Sequence, residues 1–231
     1  MKAIHKDWDS DFFGREILEL EFGEDNLRNF SSLLTQHPKA MWQCRTDIMN
    51  YEMINYLLSH GFRWVSNTVR FENHSLGSFD DERLRLANGN DLESIRSFLP
   101  GLYSSSRYRC PDFFSNEEAD RLYATWLENA YNGSFDDELF VYHMDNLLAG
   151  FVSIKYYSQQ AKIGLVGIHP NFMGQGCGKN MLYAIQARCV SKGVNSICVQ
   201  TQLDNIPAIG LYARAGFKVT GVDSWFYKKG N

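Results

Sequence analysis

The 231-residue sequence predicts an α/β protein with a mixed sheet, divided into a smaller part over residues 1–77 and a larger one over residues 78–231. Three observations carry this. Strand-like apolar runs trade places along the chain with segments whose apolar residues fall at helical spacing. A glycine-rich turn, Gly174-Gln175-Gly176-Cys177-Gly178-Lys179, joins one such run (residues 162–168) to one such helix (residues 180–192). A pattern near the C-terminus, Asn205 through Gly216-Phe217, is echoed 155 residues earlier by Asn50 through Gly61-Phe62.

Taken in order, Trp8 to Gly14 opens the fold, its aromatics expected in the core and Gly14 in a turn. The Ile17-Leu18-Glu19-Leu20-Glu21-Phe22 alternation predicts a strand. Residues 25–36 predict a helix with Leu27, Phe30, Leu33 and Leu34 on one face. The first copy of the echo follows: a strand at 40–44, the Asn50 block, then strands at 63–65 and 68–71. Polar residues 73–81 set the boundary between the two parts. Residues 83–86 predict a strand, and Asn90 or Asp91 caps a helix over 92–99 that Pro100-Gly101 ends. A helix over 116–129 carries Trp126 toward the core. Residues 139–143 and 147–157 predict a hairpin around Asp145-Asn146. After the glycine turn and its helix, the second copy has its strand at 196–202. A short helix follows, with Pro207 in its first turn and Gly216 at its end. Strands at 218–220 and 224–227 close the chain.

The formal charge of −4 supplies no basic field for nucleic acid or anionic lipid. No long apolar stretch spans a membrane, and no apolar signal core follows Met1-Lys2. A cytoplasmic protein is therefore expected. The five cysteines (Cys44, Cys110, Cys177, Cys189, Cys198) are odd in number and form no C-x-x-C. This argues against a metal site or a disulfide framework and for small buried apolar residues.

The glycine turn invites a chemical reading. Glycines let the backbone bend tightly and approach a ligand. The first N–H groups of a helix lack internal partners, and its dipole favours an anion there. A phosphate or pyrophosphate site follows, unless the glycines serve strand–helix packing alone. It is not a Walker loop, because Asn180 follows Gly178-Lys179, and it lacks the acidic residue of a dinucleotide fingerprint. A second loop, residues 102–112, interleaves Tyr103, Tyr108, Arg107, Arg109 and three serines. Arginine forks suit phosphates and tyrosine stacks on a base or sugar; the same composition also makes a solvated loop with surface ion pairs.

The residues from Ile168 through Gly178 and from Asn205 through Phe217 together resemble the two signature motifs of the GCN5-related N-acetyltransferases (GNAT). The first departs at Met173, where Gln or Arg is usual. The resemblance implies a GNAT fold preceded by a smaller, degenerate GNAT-like half-domain, since the N-terminal echo lacks a glycine loop and has Leu57 where the second copy has Tyr212. It implies acetyl-coenzyme A as co-substrate, with no metal. The amides of Gly174, Gln175, Gly176, Cys177, Gly178 and Lys179 would hold its pyrophosphate. The pantetheine arm would lie between residues 162–168 and 196–202. The Ile168 N–H, or a neighbour's, would face the thioester oxygen, and Asn205 would bond the pantetheine or hold its strand end. Tyr212 would be the general acid for the departing thiol: a phenol with pKa about 10 is protonated at neutral pH. No base is readable, and His169 suits a surface or capping role.

Trp8 to Gly14, Ser106 to Arg109 with Pro111, and Tyr123 through Asp136 further resemble the TDP-fucosamine acetyltransferase family. This implies acetylation of the 4-amino group of TDP-4-amino-4,6-dideoxygalactose, a nucleotide-sugar precursor of enterobacterial common antigen. Arg107, Tyr108, Arg109 and Asn129 would bind that substrate, and the family suggests a homodimer. Two rivals stand beside it: an acetyltransferase acting on a protein or small amine, and a non-catalytic acetyl-coenzyme A sensor.

Overall fold

A computed structural model describes residues 2–22, 30–77 and 79–230. The chain forms two compact units. One takes in residues 1–68, 106–118 and 222–231; the other takes in residues 69–105 and 119–221.

The first unit holds β1 (Lys2–His5), α1 (Asp7–Phe13), β2 (Ile17–Glu21), α2 (Phe30–Gln36), β3 (Met41–Asp47) and α3 (Tyr51–Ser59). It also takes the start of β4 (Arg63–Asn73) and the end of β10 (Lys218–Lys228). Strand order is β1-β2-β3-β10-β4. β1 runs antiparallel to β2, β2 parallel to β3, and β3 antiparallel to β10, so the sheet is mixed. Its core gathers Leu18, Leu20, Phe30, Trp42, Leu57, Phe62 and Phe226. Helix α1 ends at Gly14, whose φ of +63° is a conformation a side chain resists and whose N–H caps the Ser10 carbonyl. Phe13 is buried as expected, but Trp8 lies at the surface, 36% exposed, stacked on Phe12. The helix expected over 25–36 is observed from Phe30; its earlier residues lie outside the described ones.

The second unit holds the end of β4, β5 (Leu84–Leu86), α4 (Gly89–Phe98), α5 (Asn116–Tyr131, from Ala119 on), β6 (Glu138–Met144), β7 (Leu147–Tyr157) and β8 (Gln160–Ile168). It continues with α6 (Cys177–Ser191), β9 (Ser196–Gln202), α7 (Ile206–Arg214) and the start of β10. Strand order is β10-β4-β9-β8-β7-β6-β5. β5 to β8 form an antiparallel meander, and β8 is parallel to β9. Asp145 and Asn146 turn the β6–β7 hairpin with φ of +49° and +61°, the paired left-handed residues a tight hairpin requires. Ile95, Phe98, Leu127, Val141, Phe151 and Leu165 are among its core residues.

Two expectations are corrected. Helix α4 is capped by Asn88, not Asn90 or Asp91; Asp91 instead accepts the Asn88 N–H at 2.7 Å, closing a capping box. The strand pairs expected after each echo are single strands. Asn67, in the first expected break, is held by the other strand: it accepts the Ser224 hydroxyl at 2.7 Å, and beside it the Trp225 indole donates to Thr68 at 3.1 Å.

The echo extends to the element boundaries. β3, α3 and β4 begin and end 155 residues before β9, α7 and β10. Asn50 and Asn205 each accept the N–H three residues on, and Gly61 and Gly216 each take positive φ. The copies differ at the preceding strand. β2 pairs with β3 along four of its five residues, from Ile17 to Leu20, whereas the register of β8 with β9 covers only Gln160, Ala161 and Lys162.

Candidate active site

Beyond Lys162, β8 leaves β9 and keeps its pairing with β7, ending in Val152↔Val166, Phe151↔Gly167 and Gly150↔Ile168. The His169 N–H bonds the Ala149 carbonyl at 2.9 Å, so residues 167 and 169 turn their backbone groups toward β7. By alternation, the N–H and C=O of Val166 and Ile168 face the parted side. An edge of β8 that β9 does not cover therefore leads to the glycine loop.

That loop begins with a short 3-10 turn, Pro170–Phe172, capped by His169, whose Nδ1 accepts the Asn171 N–H at 3.2 Å. The His169 ring packs edge-on to Phe98. Gly174 and Gly176 have φ of +76° and +80°, and a Cβ on either would meet nothing within 4 Å. Backbone conformation, not crowding, requires glycine there, and the space outside the loop is open. Gly178 differs: its Cβ would come within 3.1 Å of Leu211 and 3.4 Å of Ile168, so it is there for packing. Helix α6 starts at Cys177, and the N–H groups of Cys177, Gly178 and Lys179 lie in its first turn, where no intrahelical acceptor exists. The Cys177 side chain is buried, which pushes its thiol up to about 11; it is no nucleophile. Gln175 donates back to the Asn171 carbonyl at 2.7 Å, and the Lys179 ammonium lies 5.3 Å from the Tyr183 ring centroid.

Asn205 is used within the fold. Its carbonyl oxygen accepts the Ala208 N–H and its amide donates to Thr201 at 3.1 Å, so it holds the strand end. Tyr212 is 4% exposed and packs against Phe71 and Phe217. Its phenol has no hydrogen-bond partner among the described residues, and burial drives its pKa well above the usual value. It is a protonated donor without an acceptor.

Residues 102–105, part of the Arg–Tyr loop, also belong to this unit. Leu102 touches the site of the missing Cβ of Gly167 at 2.8 Å. Tyr103 stacks on Tyr123 with centroids 4.0 Å apart and donates its hydroxyl to the Val166 carbonyl at 3.3 Å. The loop composition pointed to its tyrosines, but not to Tyr103 as the one on β8. Asn129 lies in the last turns of α5, where its carbonyl accepts the Ser134 N–H at 2.8 Å.

Arg107, Tyr108 and Arg109 fall in the other unit. The Arg107 guanidinium sits 4.0 Å from the Trp225 ring centroid and 4.2 Å from that of Tyr108. It donates to the side chains of Gln43 at 3.1 Å, Tyr108 at 2.5 Å, and Tyr227. Three of its five N–H groups are thus engaged. Arg109 donates to the Asn116 carbonyl at 3.2 Å. Sequence reading passed over Asp9, whose carboxyl pKa is raised by burial, against the opposing pull of Arg107 and Lys6. Its helical spacing from Phe12 and Phe13 was the available signal. Among the described residues no cluster of three or more His, Cys, Asp or Glu could hold a metal, and no helix is long and apolar enough to cross a membrane.

Comparison with known proteins adds the following. The family described as "Acetyltransferase (GNAT) family" matches residues 102–217. The dTDP-fucosamine acetyltransferase of Escherichia coli O6:H1 is 24% identical over 226 residues, covering 96% of this chain and 95% of that protein. The spore coat polysaccharide biosynthesis protein SpsD of Bacillus subtilis is 24% identical over 137 residues, 59% of this chain and 46% of that one. A GCN5-related N-acetyltransferase from Sphaerobacter thermophilus superposes with TM-score 0.64 over 92% of this chain and 73% of its own, at 14% identity.

Proposed function

From the premise that the chain belongs to the acetyltransferase (GNAT) family, and so is an acetyl-coenzyme A-dependent N-acetyltransferase, we propose that its acceptor is the 4-amino group of a TDP-linked amino dideoxy sugar. TDP-4-amino-4,6-dideoxygalactose is the specific candidate, acetylated in the cytoplasm for a cell-surface polysaccharide. The observation that carries this reading is the end-to-end relationship to the dTDP-fucosamine acetyltransferase: the similarity extends through both units, beyond the family motifs.

The residues present fit acetyl-coenzyme A. Gly174 and Gly176 have no neighbour within 4 Å of where a Cβ would stand, and the N–H groups in the first turn of α6 have no intrahelical acceptor; together they suit a diphosphate. The edge of β8 that β9 does not cover offers amide partners to a pantetheine arm. When bound, the co-substrate supplies the acetyl group as a thioester. The Ile168 N–H serves as a fixed donor for charge developing on the carbonyl oxygen. Tyr212 holds its proton at the phenol oxygen for the leaving sulfur. Asn205 keeps the end of β9 in place through Thr201. By the resemblance to the same relative, Arg107, Tyr108, Arg109 and Asn129 would be the residues that bind the nucleotide sugar.

Thermal unfolding with acetyl-coenzyme A, then with TDP, UDP and GDP, tests the proposal. A ligand at about 100 times its Kd adds about 2.7 kcal/mol to stability. Stabilisation by coenzyme A and TDP, but not by UDP or GDP, is expected, followed by turnover of the amino sugar. Stabilisation by coenzyme A alone would remove the sugar-nucleotide reading and the roles given to Arg107 and Arg109, leaving a protein or small amine as acceptor. Binding without turnover of any amine would favour a sensor.

A further inference from the structure

We infer that Tyr103 orients the acceptor: its phenol oxygen accepts a hydrogen bond from the incoming amine at the parted edge of β8. The inference rests on the catalytic roles proposed for Ile168 and Tyr212, and it does not depend on which molecule carries the amine.

Gly101, at φ +91°, turns the chain after α4 and sends Leu102 and Tyr103 onto β8. They can lie on the strand because Gly167 has no side chain; a Cβ there would collide with Leu102 at 2.8 Å and with the Phe151 ring at 2.2 Å. The Tyr103 ring is then clamped. It stacks on Tyr123 at an interplanar angle of 12°, and Tyr123 lies parallel to Trp126 at 6.3 Å. An aromatic held on its face has little rotational freedom to lose on binding.

The hydroxyl is placed as firmly as the ring. A phenol has one proton to give, and Tyr103 gives it to the Val166 carbonyl. Val166 is two residues before Ile168, so its carbonyl lies on the same parted side as the Ile168 N–H. The remaining lone pairs of the Tyr103 oxygen can only accept. Tyr212, which bears on Tyr103 electrostatically, has the opposite polarity: its proton is uncommitted. One phenol thus suits an N–H donor and the other a developing thiolate. A neutral amine that donates one N–H to Tyr103 keeps its nitrogen lone pair for the acetyl carbon. Burial holds Tyr103 protonated, so it takes no proton from the amine.

Tyr103→Phe in the full-length protein removes the oxygen and keeps the stack. Steady-state rates would be measured by thiol release with TDP-4-amino-4,6-dideoxygalactose and, in parallel, with an alanyl peptide, using whichever amine the wild type acetylates. Losing one hydrogen bond to the acceptor should raise the amine KM about tenfold. The affinity for acetyl-coenzyme A, measured by calorimetry, should stay within about twofold. A mere strut for β8 would give the reverse: weaker acetyl-coenzyme A binding and an unchanged amine KM, and that result would overturn the inference. Full retention of both constants would also overturn it. Tyr212→Phe, run beside it, separates the failures. Lost turnover there with a silent Tyr103→Phe removes Tyr103 alone, whereas normal turnover in Tyr212→Phe removes the catalytic assignment beneath it. Acetylation of the peptide but not the sugar would remove the sugar reading and leave Tyr103 to be judged on the peptide.

Discussion

The Ser153 hydroxyl donates to the Asp136 carboxylate at 2.6 Å while accepting the Leu165 N–H at 2.7 Å. The three groups occupy the point where the β7–β8 register shifts, between Val152 and Ile154. A bulge leaves a backbone group unpaired, and here a side chain fills the vacancy. The Trp126 indole donates to the same carboxylate at 3.3 Å, and Gly164 makes room for it, since a Cβ there would lie 2.2 Å from Asp136. Ser153→Ala would leave a buried N–H and part of a buried carboxylate unpaired, at a cost of about 2–4 kcal/mol. Gly164→Ala should be at least as damaging, because both the carboxylate and the strand would have to move. Urea unfolding of the two variants checks this; a loss under about 0.5 kcal/mol, the scale of an ordinary surface change, would show that the clamp is dispensable.

Tyr212→Phe tests the donor directly. General acid catalysis contributes about 10²- to 10⁴-fold, so kcat should fall by about that factor while acetyl-coenzyme A binding changes little. Burial raises the phenol pKa, so its proton is retained as pH rises. The pH–rate profile should therefore show no alkaline decline from Tyr212 up to about pH 10, the ordinary tyrosine value. A decline below that pH that vanishes in Tyr212→Phe would contradict the buried donor.

Acid stability should depend on Asp81. Hydrogen bonds from Arg83 lower its pKa from 3.8 to about 2, aided by the Tyr142 phenol and opposed by burial. Both partners are at 2.7–2.8 Å. A carboxyl whose folded pKa is depressed contributes stability that is complete above the unfolded value, 3.8, and is lost as pH falls through 2. With Arg83 partly in solvent, the contribution is about 1–2 kcal/mol. Unfolding free energies measured between pH 5 and pH 2 should fall more steeply for the wild type than for Asp81→Asn. Parallel slopes would assign the acid sensitivity elsewhere.

Much of this was legible locally. Asn205, Pro207 and Gly216 mark their helix through caps and a positive φ, which are properties of neighbouring residues. Gly174 and Gly176 announced a loop with special backbone angles for the same reason. What was not legible depends on residues far apart in sequence. Nothing around residues 218–228 says that Ser224 and Trp225 will find Asn67 and Thr68, so one long strand looked like two. Nothing in residues 106–118 says that they fold with the N-terminal unit, where Arg107 meets Gln43, Trp225 and Tyr227. The carbonyl that Tyr103 reaches is likewise 63 residues away.

The echo at 155 residues bears on where the chain can be cut. A boundary at residue 77/78 assigns catalysis to residues 78–231, yet β4 (Arg63–Asn73) lies between β10 and β9 in the strand order. Its last residues belong to the unit that carries the glycine loop and Tyr212, and Phe71 packs on the Tyr212 ring. A chain of residues 78–231 would leave both β9 and β10 without that partner, exposing two strand edges, which invite self-association. It would also open the wall beside Tyr212. Such a fragment should be aggregated or only partly folded, and should bind acetyl-coenzyme A at least about tenfold more weakly than the full chain, the loss that about 1.4 kcal/mol produces. Size-exclusion chromatography and calorimetry on the purified fragment decide this. A monomer with full-length affinity would mean that β4 is a lining the catalytic unit can lose. Recovery of affinity when a peptide of residues 63–73 is added would identify the strand itself as the missing part.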